Sequence, residues 1–433
     1  MAVPDTSQLA QWVRDARARS LALVADLSPD QLRGPRLAIV NPLHWEIGHV
    51  AWFQEYWTLR HALGERALRE DGDRLWDSSA VAHDTRWDLP LPSLEETKAY
   101  MRAVCDRVVD RLAAGPPTRD LPYRALYTVF HEDMHGEAFA YTRQTLGYPA
   151  PPPTAGEVPR GLEAGPLAGD AEVPGGAFEL GSAGGEPFVF DNEKWAHPVE
   201  VAPFAIARAP VTQEQFAAFV EDGGYSRGEV WSEDGWTWRT RVAAEHPVYW
   251  RRGAGGWERR DFDRWVRLEP HRPVIHVSWH EAAAFCAWAG RRLPTEAEWE
   301  AAASLEPCPG ARGIAARKRR FPWGDDPPTP DRANLDARAG GCADVGAFAA
   351  GDSAFGCRQM IGNVWEWVAD DFRPYPGFAP DMYRDYSQPW FGTHKVLRGG
   401  GWVTRARLLR NTWRNFYPPD RRDVWAGFRT CRP

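Results

Sequence analysis

The chain has 433 residues, with 52 Lys and Arg against 59 Asp and Glu, for a formal net charge of -7. That length favours two or three domains around a large interior, and the balance of charge offers no basic face of the kind nucleic acid requires. The opening residues MAVPDTSQLAQWVRDARARS lack an apolar signal core, and no later run approaches a bilayer span, so no membrane is implicated and a cytoplasmic location is expected.

The first 147 residues read as helical. Residues 5–27 place Leu9, Trp12, Val13, Ala16, Leu21 and Val24 at helical spacing, and 42–59 continue in that style. Ser93 and Glu96 predict a capping box at the start of a helix that runs to about Ala114. A further helix opens near Pro122 and stops at Gly147, a natural C-terminal glycine. Such helices with short connections predict an up-and-down four-helix bundle over 1–147. Residues 148–176, YPAPPPTAGEVPRGLEAGPLAGDAEVPGG, carry enough proline and glycine to predict a linker without regular structure. From 177 to 433 short apolar pieces alternate with Gly, Pro, Asp and Trp clusters, as in irregular α+β structure. The 23 tryptophans suit a domain built from aromatic-rich turns. The fold expected is therefore α+β in two domains, with no internal repeat.

Six cysteines (Cys105, Cys286, Cys308, Cys342, Cys357 and Cys431) occur without any C-x-x-C pair, which argues against a zinc knuckle or a disulfide framework. They are expected to act as buried small hydrophobes.

In the helical half, Phe130-His131-Glu132-Asp133-Met134-His135 sets two imidazoles at i and i+4, one above the other on a single helix face. They can share a metal. His49, in the aromatic-rich stretch from Trp45 to Phe53, is the third donor a bundle could aim at the same point. His44 falls five residues earlier and faces elsewhere. Two readings compete with a catalytic centre here. One takes the pair as surface or satisfied core histidines; the other is that His131-Glu132-x-x-His135 literally matches the zinc protease signature with Glu132 as general base. No third histidine follows at metzincin spacing. Spacing thus argues for a metal and leaves its identity open, since three imidazoles bind copper or zinc at least as well as iron.

The second half carries a series of motifs in fixed order. They are Val173-Pro174-Gly175-Gly176-Ala177-Phe178, Pro210-Val211-Thr212, Pro273-Val274 with Val277-Ser278-Trp279, Arg292-Leu293-Pro294-Thr295-Glu296-Ala297-Glu298-Trp299, Phe321-Pro322-Trp323-Gly324, Gly362-Asn363-Val364-Trp365-Glu366-Trp367 and Arg398-Gly399-Gly400-Gly401-Trp402. This order resembles formylglycine-generating-enzyme-like domains, which implies a C-type-lectin-like fold. Those enzymes carry a cysteine pair just after the Arg-Gly-Gly motif, and residues 402–411 here hold none, so oxidation of a protein cysteine is disfavoured.

A DinB-like helical domain with a His and His-x-x-x-His set, followed by such a domain, resembles the ergothioneine-type sulfoxide synthase family over nearly the whole chain. The resemblance implies iron(II) held by His49, His131 and His135. It also implies O2 as co-substrate and bond formation at C2 of the imidazole of hercynine, the trimethylated histidine. Carried over, the proton donor is Tyr375 in the loop Tyr375-Pro376-Gly377-Phe378, and Asn415 with Phe416 meets the quaternary ammonium.

Two departures bear on the donor. The stretch Arg414-Asn415-Phe416-Tyr417 lacks the aspartate of the family's Arg-Asn-Trp-Asp motif, so Tyr417 stands where a carboxylate grips the thiol peptide. Met134 stands where many members have glutamine. Both make the chain similar to selenoneine synthases, which implies a selenosugar donor. Arg86 and Arg421 remain as a pair able to bind a carboxylated low-molecular-weight thiol such as γ-glutamylcysteine. A non-catalytic betaine-binding module is the alternative from another class.

Overall fold

In the computed structural model, which describes residues 4–115, 118, 120–154, 156–308, 313–315 and 317–433, Asp5 opens helix α1 (Thr6–Ala22) by accepting the Gln8 amide. Its buried face, Leu9, Ala10, Val13, Ala16, Arg17 and Ser20, recurs at three- and four-residue spacing. The helix ends five residues short of the expected Leu27. Ser28-Pro29-Asp30-Gln31 forms a capping box of its own with proline in the first turn, and it starts the short α2 (Pro29–Arg33).

Helix α3 (Leu43–Gln54) buries every residue except His44, and such a helix belongs at the centre of a bundle. It passes into a π-helical turn over Glu55–Arg60, so the regular helix is shorter than the 42–59 expected. After α4 (Gly72–Trp76), the capping box of Ser93 and Glu96 opens α5 (Leu94–Ala113). Helix α6 (Asp120–Leu146) closes in a Schellman motif: Gly147 at φ 66° lets its own N–H reach Gln144 and that of Tyr148 reach Arg143. The long helices α1 and α3 each pack on α5 and α6. This unit runs to Pro152 and includes Gly185–Phe188.

The second unit comprises Pro153–Gly184 and Val189–Pro433. Strand β1 (Asp170–Val173) pairs with β4 (Phe204–Ala207), and β2 (Gly176–Leu180) with β3 (His197–Val201), both antiparallel. The stretch 148–176 is thus not free of regular structure. Asp170-Ala171-Glu172-Val173 contains neither proline nor glycine, and Ala171 and Val173 alternate inward. Helices α7 (Gln213–Glu221) and α8 (Glu233–Arg241) precede a three-stranded meander of β5 (Trp250–Gly253), β6 (Gly256–Asp261) and β7 (Arg264–Arg267). Capping boxes of Ser278 with Glu281 and Thr295 with Glu298 start α9 (Trp279–Trp288) and α10 (Glu296–Ser304). The main sheet has the order β10 (Asn415–Tyr417), β9 (Lys395–Arg398), β8 (Trp365–Asp371), β11 (Ala426–Gly427).

The Gly-Asn-Val-Trp-Glu-Trp motif becomes β8. Trp365 and Trp367 are buried, and the intervening Glu366 receives both the Trp299 indole at 2.8 Å and a two-pronged contact from Arg429 at 2.7 Å. Five of the six cysteines are buried, Cys308 only partly, and none is bridged. Among the described residues no helix is long and apolar enough to cross a membrane.

Gly48 shows how tightly α3 is set. A Cβ there would lie 2.2 Å from Nε1 of Trp76. Alanine is the better helix former by up to about 1 kcal/mol, but forcing a methyl into this contact costs about 1–3 kcal/mol. Gly48→Ala is therefore expected to lower stability in urea denaturation and to shift tryptophan fluorescence. A stabilised variant would show that the two helices are not held at this distance.

Candidate metal centre

Helix α6 stacks His131 and His135 one turn apart, with their Nε2 atoms 3.2 Å from each other. Helix α3 brings in His49, and the ligand atoms of the three all lie within 4.8 Å of one another. Two nitrogens each about 2.0–2.1 Å from a common cation and at right angles to each other would stand about 3 Å apart, so the spacing suits a shared ion. No other such group of three His, Cys, Asp or Glu occurs among the described residues.

The other ring nitrogens explain the aim. Nδ1 of His49 donates to the main-chain carbonyl of Trp76 at 2.8 Å, and Nδ1 of His135 donates to the Glu46 carboxylate. Each bond fixes the tautomer and leaves Nε2 as the lone-pair donor. His131 lies flat against Phe53, centroids 3.6 Å apart, and its Nδ1 is buried without a partner among the described residues. His49 is stacked between neighbours as well. Trp45 covers it at 4.8 Å, and the guanidinium of Arg86 covers Trp45 at 4.0 Å.

Burial, helped by the adjacent His135, pushes His49 down to about 3, and burial with both neighbouring imidazoles takes His131 well below its ordinary value. Both rings are therefore neutral, the state that binds metal. Burial alone would raise Glu46, but His135, His49 and Asn41 outweigh it and hold the carboxylate down to about 2. A three-imidazole face with a carboxylate behind it fits a divalent cation and leaves the remaining coordination positions to exchangeable ligands.

His44 is directed at α5, with Nε2 3.1 Å from the Thr97 hydroxyl. Glu132 does not face the imidazoles as a base. It is buried and gripped by Arg17, Nε to Oε1 at 2.9 Å and Nη2 to Oε2 at 3.1 Å, so the zinc protease reading loses its general base. Met134 is partly buried beside His135. Arg86 is held by Asn41 at 2.8 Å and by the carbonyls of Ser78 and Val81.

The remaining candidates belong to the second unit. Tyr375-Pro376-Gly377-Phe378 is a type II turn: the Phe378 amide donates to Tyr375 O at 3.1 Å, and Gly377 takes φ 77°. The Tyr375 ring meets the edge of His197 at 4.6 Å and lies so close to Gly181 that a Cβ there would stand 2.9 Å from it. Its hydroxyl is buried with no partner among the described residues. On edge strand β10, Asn415 accepts the Phe416 amide at 2.9 Å, and Phe416 stacks on Phe372 at 4.0 Å. Arg421 lies over Tyr417 at 5.3 Å and is paired in two-pronged fashion with Asp423.

Sequence reasoning missed Glu46 and Trp76. Glu46 lies three residues before His49, a spacing that puts both on one face of α3 and could have flagged it. Trp76 acts through a main-chain carbonyl, which no side-chain pattern reveals.

Residues 157–433 match the sulfatase-modifying factor enzyme 1-like domain, and residues 13–139 match the DinB superfamily. The chain is 38% identical to the hercynine oxygenase of Mycolicibacterium thermoresistibile over 99% of its own length and 95% of the relative's, and 40% identical to that of Mycobacterium tuberculosis over 98% of each. The chain belongs to the hercynine oxygenase family. It is accordingly an enzyme, an oxidoreductase, with a DinB-type helical bundle and a C-type-lectin-like domain of the formylglycine-generating-enzyme type. The formylglycine-generating enzyme of Streptomyces coelicolor is 33% identical over 65% of this chain and 94% of its own.

The two glutamates flanking the histidines should separate by experiment. Glu46→Gln is expected to weaken metal binding about 10- to 100-fold in a chelator competition, with stability little changed. Glu132→Gln strands a buried guanidinium and should cost about 3–5 kcal/mol in denaturation. Reversed effects would mean that the carboxylates are assigned the wrong way round.

Proposed function

We propose that this family member is a cytoplasmic, non-heme iron(II), O2-dependent enzyme that forms a carbon–selenium bond at C2 of the hercynine imidazole with a selenosugar as donor; the alternative is a carbon–sulfur bond from γ-glutamylcysteine or cysteine. The observation that carries the reading is the face of three imidazoles, His49, His131 and His135, whose ligand atoms all lie within 4.8 Å of one another. Iron(II) held there supplies redox chemistry with oxygen.

The chain's own groups do the rest. Burial keeps the Tyr375 phenol far above its ordinary pKa, so it is protonated at cell pH and can deliver that proton as a general acid. A quaternary ammonium cannot donate a hydrogen bond, and Asn415 with the Phe416 ring offers it a carbonyl dipole and a π-face. Met134 gives hercynine an apolar neighbour in place of an amide.

Two observations favour an uncharged donor over γ-glutamylcysteine or cysteine. Tyr417 brings no carboxylate for an amino group, and Arg421 is already neutralised by Asp423. Arg86 is likewise committed to Asn41, two carbonyls and the Trp45 face.

The test offers iron-loaded protein, hercynine and oxygen three donors in parallel, namely a selenosugar, γ-glutamylcysteine and cysteine, with mass spectrometry of the adduct. Coupling of the selenosugar is expected, lost on alanine replacement of His49, His131 or His135 and altered in product ratio by Tyr375→Phe. Reaction with the thiol peptide alone would overturn the donor assignment. Absence of oxygen consumption with every donor would point instead to a betaine-binding module.

A further inference from the structure

Arg414 opens the stretch that the family resemblance assigns to substrate, yet it has no hydrogen to offer one. A guanidinium carries five N–H donors, and here all are spent. Nε and Nη2 grip Glu296 at 2.7 and 3.0 Å, Nη1 reaches Asn192 O at 2.8 Å, and Nη1 and Nη2 both reach Arg373 O at 3.2 Å. Its plane lies between two rings, with Cζ 4.9 Å from the centroid of Phe372 and 4.1 Å from that of Tyr375. Arg414 thus holds the Tyr375 loop twice, by the carbonyl two residues upstream and by the phenol ring itself.

We propose, resting on the proton-donor reading of Tyr375, that Arg414 is a positioning residue: it fixes the phenol ring and steadies the phenolate left when the proton departs. In a dry surrounding a cation stacked on the ring acts with little screening. The charged or titratable groups facing Tyr375 are Arg414, Arg398, Glu296, Glu300 and His197. Glu296 and Glu300 are each tied to Arg398, and Glu300 also to Lys318, so the carboxylates are compensated and Arg414 is the cation seated on the ring. The phenolic oxygen itself has no partner among the described residues. Protonation is balanced simply: the O–H bond of Tyr375 breaks, the proton goes to the reacting partner, and water returns one to the phenolate.

The experiment is a cycle in the full-length protein. Arg414→Gln is combined with Glu296→Gln, so that no buried carboxylate is stranded, and the pair is made with Tyr375 and in the Tyr375→Phe background. With Tyr375 present, the coupling rate should fall about a hundredfold, the low end of what a positioned general acid contributes. In the Tyr375→Phe background the same pair should change the rate less than about twofold, as for groups that act as one unit. Equal losses in both backgrounds would make Arg414 merely structural and overturn the proposal. Arg414→Lys, which keeps the charge, should restore most of the rate. A second readout needs no iron: with a fluorotyrosine at position 375, the 19F titration of the phenol in metal-free protein should move to higher pH in the neutral pair, and an unmoved titration refutes the proposal. Should that pair not accumulate, Arg414→Gln is read alone, Glu296 keeping its bond to Arg398 at 2.8 Å, and a titration and product ratio identical to the parent's refute it. If Tyr375→Phe couples with parental rate and products, the proton-donor reading itself fails, and the 19F titration still reports whether Arg414 governs the phenol.

Discussion

A histidine presents one nitrogen reliably when the proton on its other nitrogen has an acceptor, and for His49 and His135 this requirement shapes the helical unit. The acceptor for His49 is the carbonyl of Trp76, which α4 delivers against α3. The acceptor for His135 is Glu46, one turn before His49 on that same helix. Each places constraints on packing further out. Trp76 comes near enough only because residue 48 has no side chain, and its indole is in turn stacked on Tyr100, centroids 5.2 Å apart. Tyr100 donates to the buried Glu55 in the π-helical turn. The centre is thus the end of a chain of contacts that runs through α3, α4 and α5, and the unusual burial of α3 on all sides follows from it.

The second unit obeys a different constraint, the cost of burying charge. Its core contains carboxylates that would be prohibitive alone, and several meet guanidinium groups in matched geometry. Glu366 meets Arg429, Glu193 meets Arg410, and Glu296 meets both Arg398 and Arg414. These pairs tie together segments with little regular secondary structure, which explains how a domain of short strands and long loops holds its turns in place. The Tyr375 loop inherits its position from this network, through Arg414 and through Gly181, whose amide is bound to Glu300 at 3.0 Å.

The parts of the structure that depend on local rules were open to reading. Capping boxes at Ser93 and the glycine stop at Gly147 depend on a few adjacent residues, and both helix ends fall where those residues stand. The i, i+4 histidines needed only a helix to align them. Failures came where a second local signal competed or where the deciding partner is distant. The end of α1 was set by a competing cap at Ser28, and β1 forms because β4, more than thirty residues later, supplies its pairing. Proline and glycine content described the average of 148–176 and concealed the four residues that escape it. The order of tryptophan and glycine motifs in the second half identified a fold that no periodicity would have disclosed, because its strands are too short to show any.

The sequence His-Glu-x-x-His shows why residue letters do not determine chemistry. In a metalloprotease that glutamate must reach water on the metal, so it has to be unpaired by any permanent cation. Here Arg17 rises from α1 and takes both oxygens of Glu132, and Gln54 and the Met101 carbonyl each accept a further N–H of the guanidinium. The glutamate became a brace between α1 and α6, and the carboxylate that serves the imidazoles comes from α3. A free carboxylate in this motif would favour hydrolysis, whereas here Glu132 is committed to Arg17 and the Nδ1 protons of His49 and His135 are anchored to Trp76 and Glu46. In the second unit the Tyr375 hydroxyl is buried with no partner among the described residues and its ring is clamped by Arg414, the arrangement that the proposed general acid requires.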